Sequence, residues 1–220
     1  VVLQGPDKGT VKGIPVVLCH ALGLDLSMWS GVARHLAASW HPVMRYDLQG
    51  HGGSALVGKP DIDALVADAA RLVQEWNMGP VVFVGLSLGG MVAQGLAIRH
   101  PQHVRALVLA NTAASYPPAA REGFVARATQ VRAEGMASVV DTALQRYLSP
   151  GFQQQDPVAT AALRERLLAC SPAAYAACCE ALATVDWHAG LAGIQVPTWI
   201  VSGAADLAAP PALQQALNEG

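Results

Sequence analysis

Short apolar runs alternate with helix-period segments along the first half of the chain, and this alternation restricts the folds that the chain can adopt. The apolar runs have the length of β-strands and cover 15–19, 43–46, 81–84 and 104–110. The segments between them place apolar residues at helical spacing and cover 28–38, 61–76 and 88–100. Strands and helices that alternate in this way form an α/β fold, with a mostly parallel sheet and helices on both faces. The run Val81–Val84 carries no polar side chain, and we expect both of its faces to be buried.

The alternation stops at Tyr-Pro-Pro, 116–118, and a long helical stretch follows. Asp156 and Ser171 each precede a proline, as helix N-caps commonly do. The strand–helix pattern resumes with a strand at 196–202 and a helix at 211–217. Several helices inserted between two strands predict a lid over the carboxyl edge of the sheet. We therefore expect a first core part, a helical lid and a second core part, at 1–115, 116–186 and 187–220.

The composition excludes several classes of protein. Hydrophobic residues make up 52% of the 220 residues and charged residues 14%, well below the roughly 25% of an average soluble domain. A disordered chain would be poor in apolar residues and rich in charge. The net charge of -2 and the lack of a basic cluster argue against nucleic acid as a partner. No stretch approaches the roughly 18 apolar residues of a membrane-spanning helix, so no membrane partner is expected. The oligomeric state is left open.

The cysteines and the first residues bear on the compartment. Cys19, Cys170, Cys178 and Cys179 form no CxxC pair, and two adjacent cysteines have poor geometry for bridging each other. We therefore expect reduced thiols rather than a disulfide framework. The segment 1–13 lacks the basic region and apolar block of a signal peptide. Together these features predict a cytoplasmic protein. No cluster of His, Cys, Asp or Glu has the spacing of metal ligands, so no metal is predicted.

The most informative motif is Gly-Leu-Ser-Leu-Gly-Gly at 85–90. It follows an apolar strand and opens a helix, which is the setting of a G-x-S-x-G nucleophile elbow. Ser87 would lie on a strained turn, where Gly85 and Gly89 leave room for close backbone approach. The positive end of the following helix would face a developing oxyanion. Ser87 is therefore the candidate catalytic nucleophile, and a tight turn without chemistry is the alternative interpretation.

Two further segments fit the same arrangement. The segment 20–23, His-Ala-Leu-Gly, follows the first apolar strand, and we expect the backbone N–H groups of Leu22 and Leu88 to form an oxyanion hole. His20 either orients this loop or only stabilises it through a hydrogen bond. Asp206 lies just after a late strand, where the acid of a Ser–His–Asp triad is expected. A turn or a helix cap is the other interpretation of Asp206.

These stretches together resemble the α/β-hydrolases, and they are most similar to the 3-oxoadipate enol-lactonases. The matching segments are 18–29, 46–54, 85–94, 107–114, 134–152, 173–182 and 197–210. The elbow is shared by the whole superfamily, whereas Leu-Ala-Asn-Thr-Ala-Ala at 109–114 and Tyr-Ala-Ala-Cys-Cys-Glu-Ala-Leu at 175–182 are closer to the enol-lactonases. The resemblance implies an α/β-hydrolase fold with a lid. It also implies a serine hydrolase that opens 3-oxoadipate enol-lactone, a small molecule of aromatic catabolism, without a cofactor.

The chain departs from this resemblance at the triad histidine. The resemblance places that histidine after Asp206 and one further strand, but the last histidine of the sequence is His188. Residues 1–3 also read as the end of a strand. We therefore expect 1–220 to be a fragment whose sheet is truncated at both edges. A histidine supplied by another chain and a histidine-less ligand-binding protein, like the receptors that share this fold, are the alternatives.

The substrate that the resemblance implies carries a free carboxylate, which a buried site would hold with a cation or several N–H donors. Arg127, Arg132 and Arg146 lie in the predicted lid. Arg146, next to Tyr147, is the first choice for substrate binding, and a solvated helix arginine is the alternative for each of the three. A general carboxylesterase and a cofactor-free perhydrolase are the alternative enzymatic functions.

Overall fold

In the computed structural model, which describes residues 1–6 and 13–219, six strands form one sheet. The strands are β1 (Val2–Gln4), β2 (Val16–Cys19), β3 (Val43–Tyr46), β4 (Val81–Leu86), β5 (Val104–Ala110) and β6 (Thr198–Val201). Their order across the sheet is β1-β3-β2-β4-β5-β6, and β1 is antiparallel to β3 while the other neighbouring pairs are parallel. The mostly parallel sheet that the strand–helix alternation predicts is confirmed.

Helices connect these strands, and several of them begin at the caps that the sequence indicates. The α-helices are α1 (Ser30–Ala38), α2 (Ile62–Trp76), α3 (Leu88–Arg99), α4 (Pro118–Glu134), α5 (Val140–Tyr147), α6 (Pro150–Gln155), α7 (Pro157–Ala169), α8 (Pro172–Thr184), α9 (His188–Leu191) and α10 (Pro211–Glu219). The carboxylate of Asp61 accepts the N–H of Ala64 at 2.8 Å and so caps α2. The side chains of Asp156 and Ser171 cap α7 and α8 in the same way, as predicted.

Side chains of β2 point alternately to the two faces of the sheet. Val16 and Leu18 pack beside α1, whereas α2 and α3 build the larger core on the opposite face. Helices on both faces are thereby confirmed. The expectation that 81–84 is buried on both faces is wrong, because Val82 and Val84 are only half-buried. They lie on the α1 face, and α1 contacts β1 and β3, so this helix covers β4 less completely.

Six α-helices lie between β5 and β6, and the first five, α4 to α8, are here called the insertion; these five fall within the segment predicted as a lid. Backbone contacts join the two ends of this segment. Ser115 and Asp186 form an antiparallel β-bridge, and the N–H of Trp187 donates to the carbonyl of Ala114 at 3.1 Å. The indole N–H of Trp187 also donates to the carbonyl of Met91 in α3 at 3.0 Å. The insertion is therefore anchored to the helix that follows Ser87.

The remaining expectations concern the edges of the sheet, the state of the cysteines and the presence of membrane-spanning helices. β1 and β6 are the outer strands of the described sheet, and Trp199 of β6 is 59% exposed. Continuation of the sheet outside 1–220 stays a prediction. The four cysteines are free and buried. Within 1–6 and 13–219, no single helix combines the length and apolar character needed to cross a bilayer, and α7 and α8 meet that test only as a pair bent by 93°.

Candidate active site

Ser87 occupies a sharp bend between β4 and α3. Its backbone torsions, φ 54° and ψ -112°, lie where non-glycine residues are rarely found, a conformation that costs about 1–3 kcal/mol. Two hydrogen bonds hold the bend. The N–H of Ser87 donates to the carbonyl of Ala110 at 2.9 Å, and the hydroxyl of Thr112 donates to the carbonyl of Ser87 at 2.8 Å. Ser87 therefore stands at the carboxyl end of β4 and at the N-terminus of α3.

Two glycines permit this bend, because a side chain at either position would overlap backbone atoms. A Cβ atom at Gly85 would overlap the carbonyl of Gly89. A Cβ atom at Gly89 would overlap the carbonyl of Cys19, at the end of β2. The start of α3 thus lies directly against the loop that follows β2. The glycines of the G-x-S-x-G motif are explained by close backbone approach, as the sequence predicts.

Leu22 and Leu88, the expected oxyanion donors, both lie near Ser87. Leu88 is the first residue of α3, and N–H groups in the first turn of a helix have no partner within that helix. Leu22 lies in the β2 loop (20–24) and lines the same pocket as Ser87. The structure therefore brings both residues next to the candidate nucleophile.

Two histidines brace the β2 loop, which is buried throughout. Nε2 of His20 accepts the N–H of Leu48 at 2.9 Å, and its Nδ1 lies 2.8 Å from the next carbonyl along the chain. Nε2 of His51 accepts the N–H of Gly23 at 3.1 Å. Acceptance at Nε2 places the proton of each neutral ring on Nδ1. Burial, with a smaller effect of the neighbouring His51, lowers the pKa of His20 to about 4, and burial also lowers the pKa of His51. Both rings are therefore uncharged structural groups.

Asp206 lies in the turn after β6, here called the β6 turn (203–209). Its Oδ1 accepts the N–H groups of Ala208 and Ala209 at 2.7 and 3.0 Å. Its Oδ2 accepts a hydrogen bond from the side-chain amide of Asn111, which follows β5. One carboxylate oxygen thus stabilises the turn, as the turn interpretation expects. The other oxygen is oriented by a residue from the neighbouring strand.

In the described ranges, no histidine hydrogen-bonds to Ser87 or Asp206. His188, the last histidine, lies 2.7 Å from Asp186 and 3.3 Å from the hydroxyl of Ser115, and both contacts use Nδ1. A triad histidine instead uses one ring nitrogen for the acid and the other for the nucleophile. His188 therefore lies where the insertion joins the core and contacts the residues that flank the insertion.

Tyr116 is a site residue that the sequence reasoning missed. It lines the same pocket as Ser87. Tyr116 is 4% exposed, and its ring packs edge-on against Phe124 with centroids 4.9 Å apart. Burial raises the pKa of Tyr116 to about 12, and the nearby side chain of Ser87 opposes part of that rise. The sequence signal for this residue is its place at the start of the predicted lid, immediately after the β5 segment.

Ser87 lines a pocket between the core and the insertion. The core contributes Ser87 and Leu22, the β6 turn contributes Ala208, and the insertion contributes Arg127, Arg146 and Tyr147. No acidic side chain of the described residues lines this pocket. The pocket thus combines the candidate nucleophile with a positively charged wall.

The three arginines considered from the sequence have different surroundings. Arg127 and Arg146 line the pocket, and neither forms an ion pair within the part of the chain that the structure describes. Arg132 instead pairs with Glu180 at 3.0 Å and does not line the pocket. The hydroxyl of Tyr147 donates to the carbonyl of Leu22 at 3.2 Å. Arg146 and Tyr147, the expected substrate contacts, therefore both lie at the pocket.

A larger cavity, lined in part by Asp47, Gln49, Asp68 and Arg71, does not contain Ser87. No nucleophile in a strained turn lines it, so the Ser87 pocket remains the candidate active site. Among the described residues, no group of three or more His, Cys, Asp or Glu side chains could hold a metal ion.

Comparison with known proteins agrees with this architecture. The family model described as the alpha/beta hydrolase fold matches residues 14–219. The chain belongs to the α/β-hydrolase fold family. This α/β-hydrolase is 35% identical over 192 residues to 3-oxoadipate enol-lactonase 2 of Acinetobacter baylyi, a match that covers 87% of this chain and 71% of that enzyme.

A second relative of this α/β-hydrolase is the pimeloyl-[acyl-carrier protein] methyl ester esterase of Aromatoleum aromaticum. It is 32% identical over 207 residues, covering 89% of this chain and 80% of the esterase. The crystal structure of the enol-lactonase from Burkholderia xenovorans superposes with a TM-score of 0.93 at 34% identity, covering 99% of this chain and 82% of that one. The resemblance to enol-lactonases and the α/β-hydrolase fold predicted from the sequence are confirmed.

Proposed function

We propose that this α/β-hydrolase is a serine hydrolase that opens 3-oxoadipate enol-lactone to 3-oxoadipate. The observation that carries the proposal is the strained bend at Ser87, which lines a pocket with two arginines and no acidic neighbour among the described residues. A cationic wall complements the free carboxylate of this lactone. The similarity to two enol-lactonases supports the choice of substrate. The free, buried cysteines fit a reducing compartment such as the cytoplasm.

Catalysis begins when Oγ of Ser87 attacks the lactone carbonyl carbon while its proton passes to a base. The N–H groups of Leu22 and Leu88 stabilise the tetrahedral oxyanion. The ring carbon–oxygen bond then breaks, and the enol oxygen leaves as an enolate, which takes up a proton at carbon and becomes the ketone of the product. Water finally attacks the acyl-enzyme, which releases the second carboxylate and restores the Ser87 hydroxyl. No cofactor takes part in this sequence.

The base is an imidazole held by Asp206, which fixes its tautomer and stabilises its protonated form. No histidine of the described residues hydrogen-bonds to Ser87 or Asp206. We therefore assign the base to a histidine outside residues 1–220. Rapid reaction of Ser87 with a fluorophosphonate in a polypeptide limited to 1–220 would contradict this assignment.

The insertion acts as a lid that supplies the substrate contacts. Arg146, at the end of α5, holds the free carboxylate, and the ring of Tyr147 forms the adjoining wall. Arg127 lines the same pocket from α4 and adds a second positive charge. A guanidinium that is not committed to an acidic partner can bind a carboxylate through two parallel hydrogen bonds.

The nucleophile is tested in the full-length protein with a fluorophosphonate probe and with enol-lactone hydrolysis. The wild type should be labelled at Ser87, and Ser87→Ala should lose both labelling and hydrolysis, by a factor of about 10⁴ or more. Labelling that persists in Ser87→Ala, or hydrolysis that survives the substitution, would disprove a serine mechanism.

The carboxylate contact is tested with Arg146→Met and with Arg132→Met as its matched control. Both substitutions remove a lid arginine, but Arg132 pairs with Glu180 and does not line the pocket. Arg146→Met should raise KM for the lactone by about tenfold or more. It should leave the hydrolysis of neutral p-nitrophenyl acetate unchanged, and Arg132→Met should affect neither substrate. Equal losses on both substrates would show that Arg146 supports the fold rather than the carboxylate.

A general carboxylesterase is the second candidate function, because a methyl ester esterase is 32% identical to this chain. The two candidates differ in the preferred leaving group. A higher kcat/KM for methyl or p-nitrophenyl esters than for the enol-lactone would favour the esterase. Oxidation of halide by peroxide with a carboxylic acid would favour a perhydrolase. Tight ligand binding with a single slow turnover would favour a receptor.

A further inference from the structure

Hydrogen bonds from side chains set the backbone direction in the β2 loop. The peptide unit between Ala21 and Leu22 has the expected oxyanion donor, the Leu22 N–H, at one end. Its other end, the Ala21 carbonyl, lies 2.8 Å from Nδ1 of His20 and accepts a hydrogen bond from the N–H of that nitrogen. A hydrogen bond to the carbonyl of a peptide polarises its N–H and strengthens it as a donor.

The next peptide unit is held at both ends. Its carbonyl, on Leu22, accepts the hydroxyl of Tyr147 at 3.2 Å. Its N–H, on Gly23, donates to Nε2 of His51 at 3.1 Å. These contacts, with that of His20, fix the two peptide units that flank the Leu22 Cα atom.

Tyr147 differs from the two histidines because it belongs to the insertion. His20 and His51 lie in the core, whereas Tyr147 is the last residue of α5 and lies 125 positions from Leu22 in the chain. Burial raises the pKa of Tyr147 well above its ordinary value, so the hydroxyl keeps its proton and remains a donor. The contact therefore joins the insertion directly to the backbone beside Ser87.

We propose that Tyr147 is a positioning residue that links the placement of the insertion to the direction of the Leu22 N–H. The inference rests on the proposed function, in which Leu22 is an oxyanion donor. Such a donor is effective only when its direction is fixed before the reaction. Tyr147 acts through Leu22. Losing its hydroxyl therefore reduces the stabilisation of the transition state more than it reduces the binding of the substrate.

The kinetic test compares Tyr147→Phe with Tyr46→Phe in the full-length protein. Tyr46 is a matched control because it is buried and its hydroxyl donates to Sγ of Cys19 at 3.1 Å, a side-chain atom that belongs to neither peptide unit. With p-nitrophenyl acetate, Tyr147→Phe should lower kcat by about tenfold and leave KM within about twofold. Tyr46→Phe should keep the wild-type kcat. An unchanged kcat in Tyr147→Phe, an equal loss in Tyr46→Phe, or a change confined to KM would overturn the inference.

A second measurement does not depend on turnover. Backbone hydrogen exchange in residues 20–24 should be about fivefold faster or more in Tyr147→Phe and unchanged in Tyr46→Phe. Equal exchange in both variants would refute the positioning role even in an active enzyme. A wild type that neither hydrolyses esters nor reacts with a fluorophosphonate would refute the proposed function instead, while the exchange rates would still decide whether Tyr147 fixes the loop.

Discussion

The two loops that meet at Ser87 are held in different ways. The β2 loop (20–24) follows a strand that is buried along its whole length, and the loop itself is buried throughout. The β6 turn (203–209) follows a largely exposed strand and is itself mostly half-buried or exposed. Two buried histidines brace the first loop, whereas the carboxylate of the second is oriented by the side chain of Asn111.

The difference shows which part of the site has its geometry fixed by buried contacts. Hydrogen bonds in a buried loop are strengthened by the low local dielectric, and an unpaired group there would be costly. The buried hydrogen bonds of the core therefore fix the backbone direction of the β2 loop. The β6 turn has fewer buried partners, so the orientation of Asp206 depends on a small number of polar contacts. Substitutions in the β2 loop should greatly reduce the stability of the whole protein. Substitutions in the β6 turn should be tolerated with only a small loss of stability.

Alanine at Gly89 and at Gly203 should give the largest difference between the two regions. A Cβ at Gly89 would overlap the carbonyl of Cys19, and the surrounding backbone is buried. We expect Gly89→Ala to lower the free energy of unfolding by more than about 3 kcal/mol. A Cβ at Gly203 would lie 3.1 Å from the side-chain nitrogen of Asn111, which can shift. The loss there should be about 1 kcal/mol or less.

Urea unfolding of both glycine variants, followed by circular dichroism, measures these losses. Similar values for Gly89→Ala and Gly203→Ala would mean that the two regions are equally constrained, and the contrast drawn from burial would be wrong.

Acid should lower the stability of the protein through His20 of the β2 loop. Its pKa is lowered from 6.5 to about 4, first by burial and then by His51, although the carboxylates of Asp47 and Asp25 oppose the change. Between these two values the unfolded chain binds a proton that the folded loop excludes, so the free energy of unfolding falls as the pH falls through that window. The loss should be on the order of 3 kcal/mol and should level off once the folded ring is also protonated.

Urea unfolding across the window of His20 titration measures this effect in the wild type and in His20→Gln. The variant cannot titrate, so its stability should change less with pH even though it starts lower. A wild-type stability that stays constant while the pH is lowered from about 7 to about 4 would refute the assignment.

Removing the side chain of Asn111 should loosen the β6 turn with a moderate effect on the reaction. Asn111 has a φ of 45°, so Asn111→Gly deletes the donor to Asp206 without adding backbone strain. We expect fluorophosphonate labelling of Ser87 in the full-length protein to slow by about tenfold, with a loss of stability of about 1 kcal/mol. Unchanged labelling would show that Asp206 is oriented without this amide.

Local signals were sufficient to predict the bend and the helix caps. The apolar run and the glycine spacing identify Ser87 between a strand and a helix, and Asp156 is identified as a cap by the proline that follows it, so neither prediction needs tertiary information. Asn111 and Tyr116 were missed because their contacts cross the fold: Asn111 and Asp206 are 95 positions apart. A single sequence carries no sign that these segments meet.

The same limit applies to the arginines of the insertion. Arg127, Arg132 and Arg146 are each a cation on a predicted helix, and in the sequence only the neighbouring Tyr147 distinguishes Arg146 from the other two. The packing of α4 against α8 places Arg132 beside Glu180 and leaves it out of the pocket. Which face of a helix looks into a pocket depends on its neighbours, and periodicity alone does not supply this information when both faces carry polar residues.

The smallest effect is expected at Gly123, and it sharpens the interpretation of Gly89. Gly123 lies on an exposed part of α4, where no atom comes within 4 Å of an added Cβ. Alanine is favoured over glycine inside a helix, so Gly123→Ala should raise the free energy of unfolding by up to about 1 kcal/mol. Gly89 also lies in a helix, so opposite signs for the two variants would isolate the contact with Cys19 as the cause of the loss. Urea unfolding decides this, because a loss in Gly123→Ala would make the cost at Gly89 a general property of helical glycines in this chain.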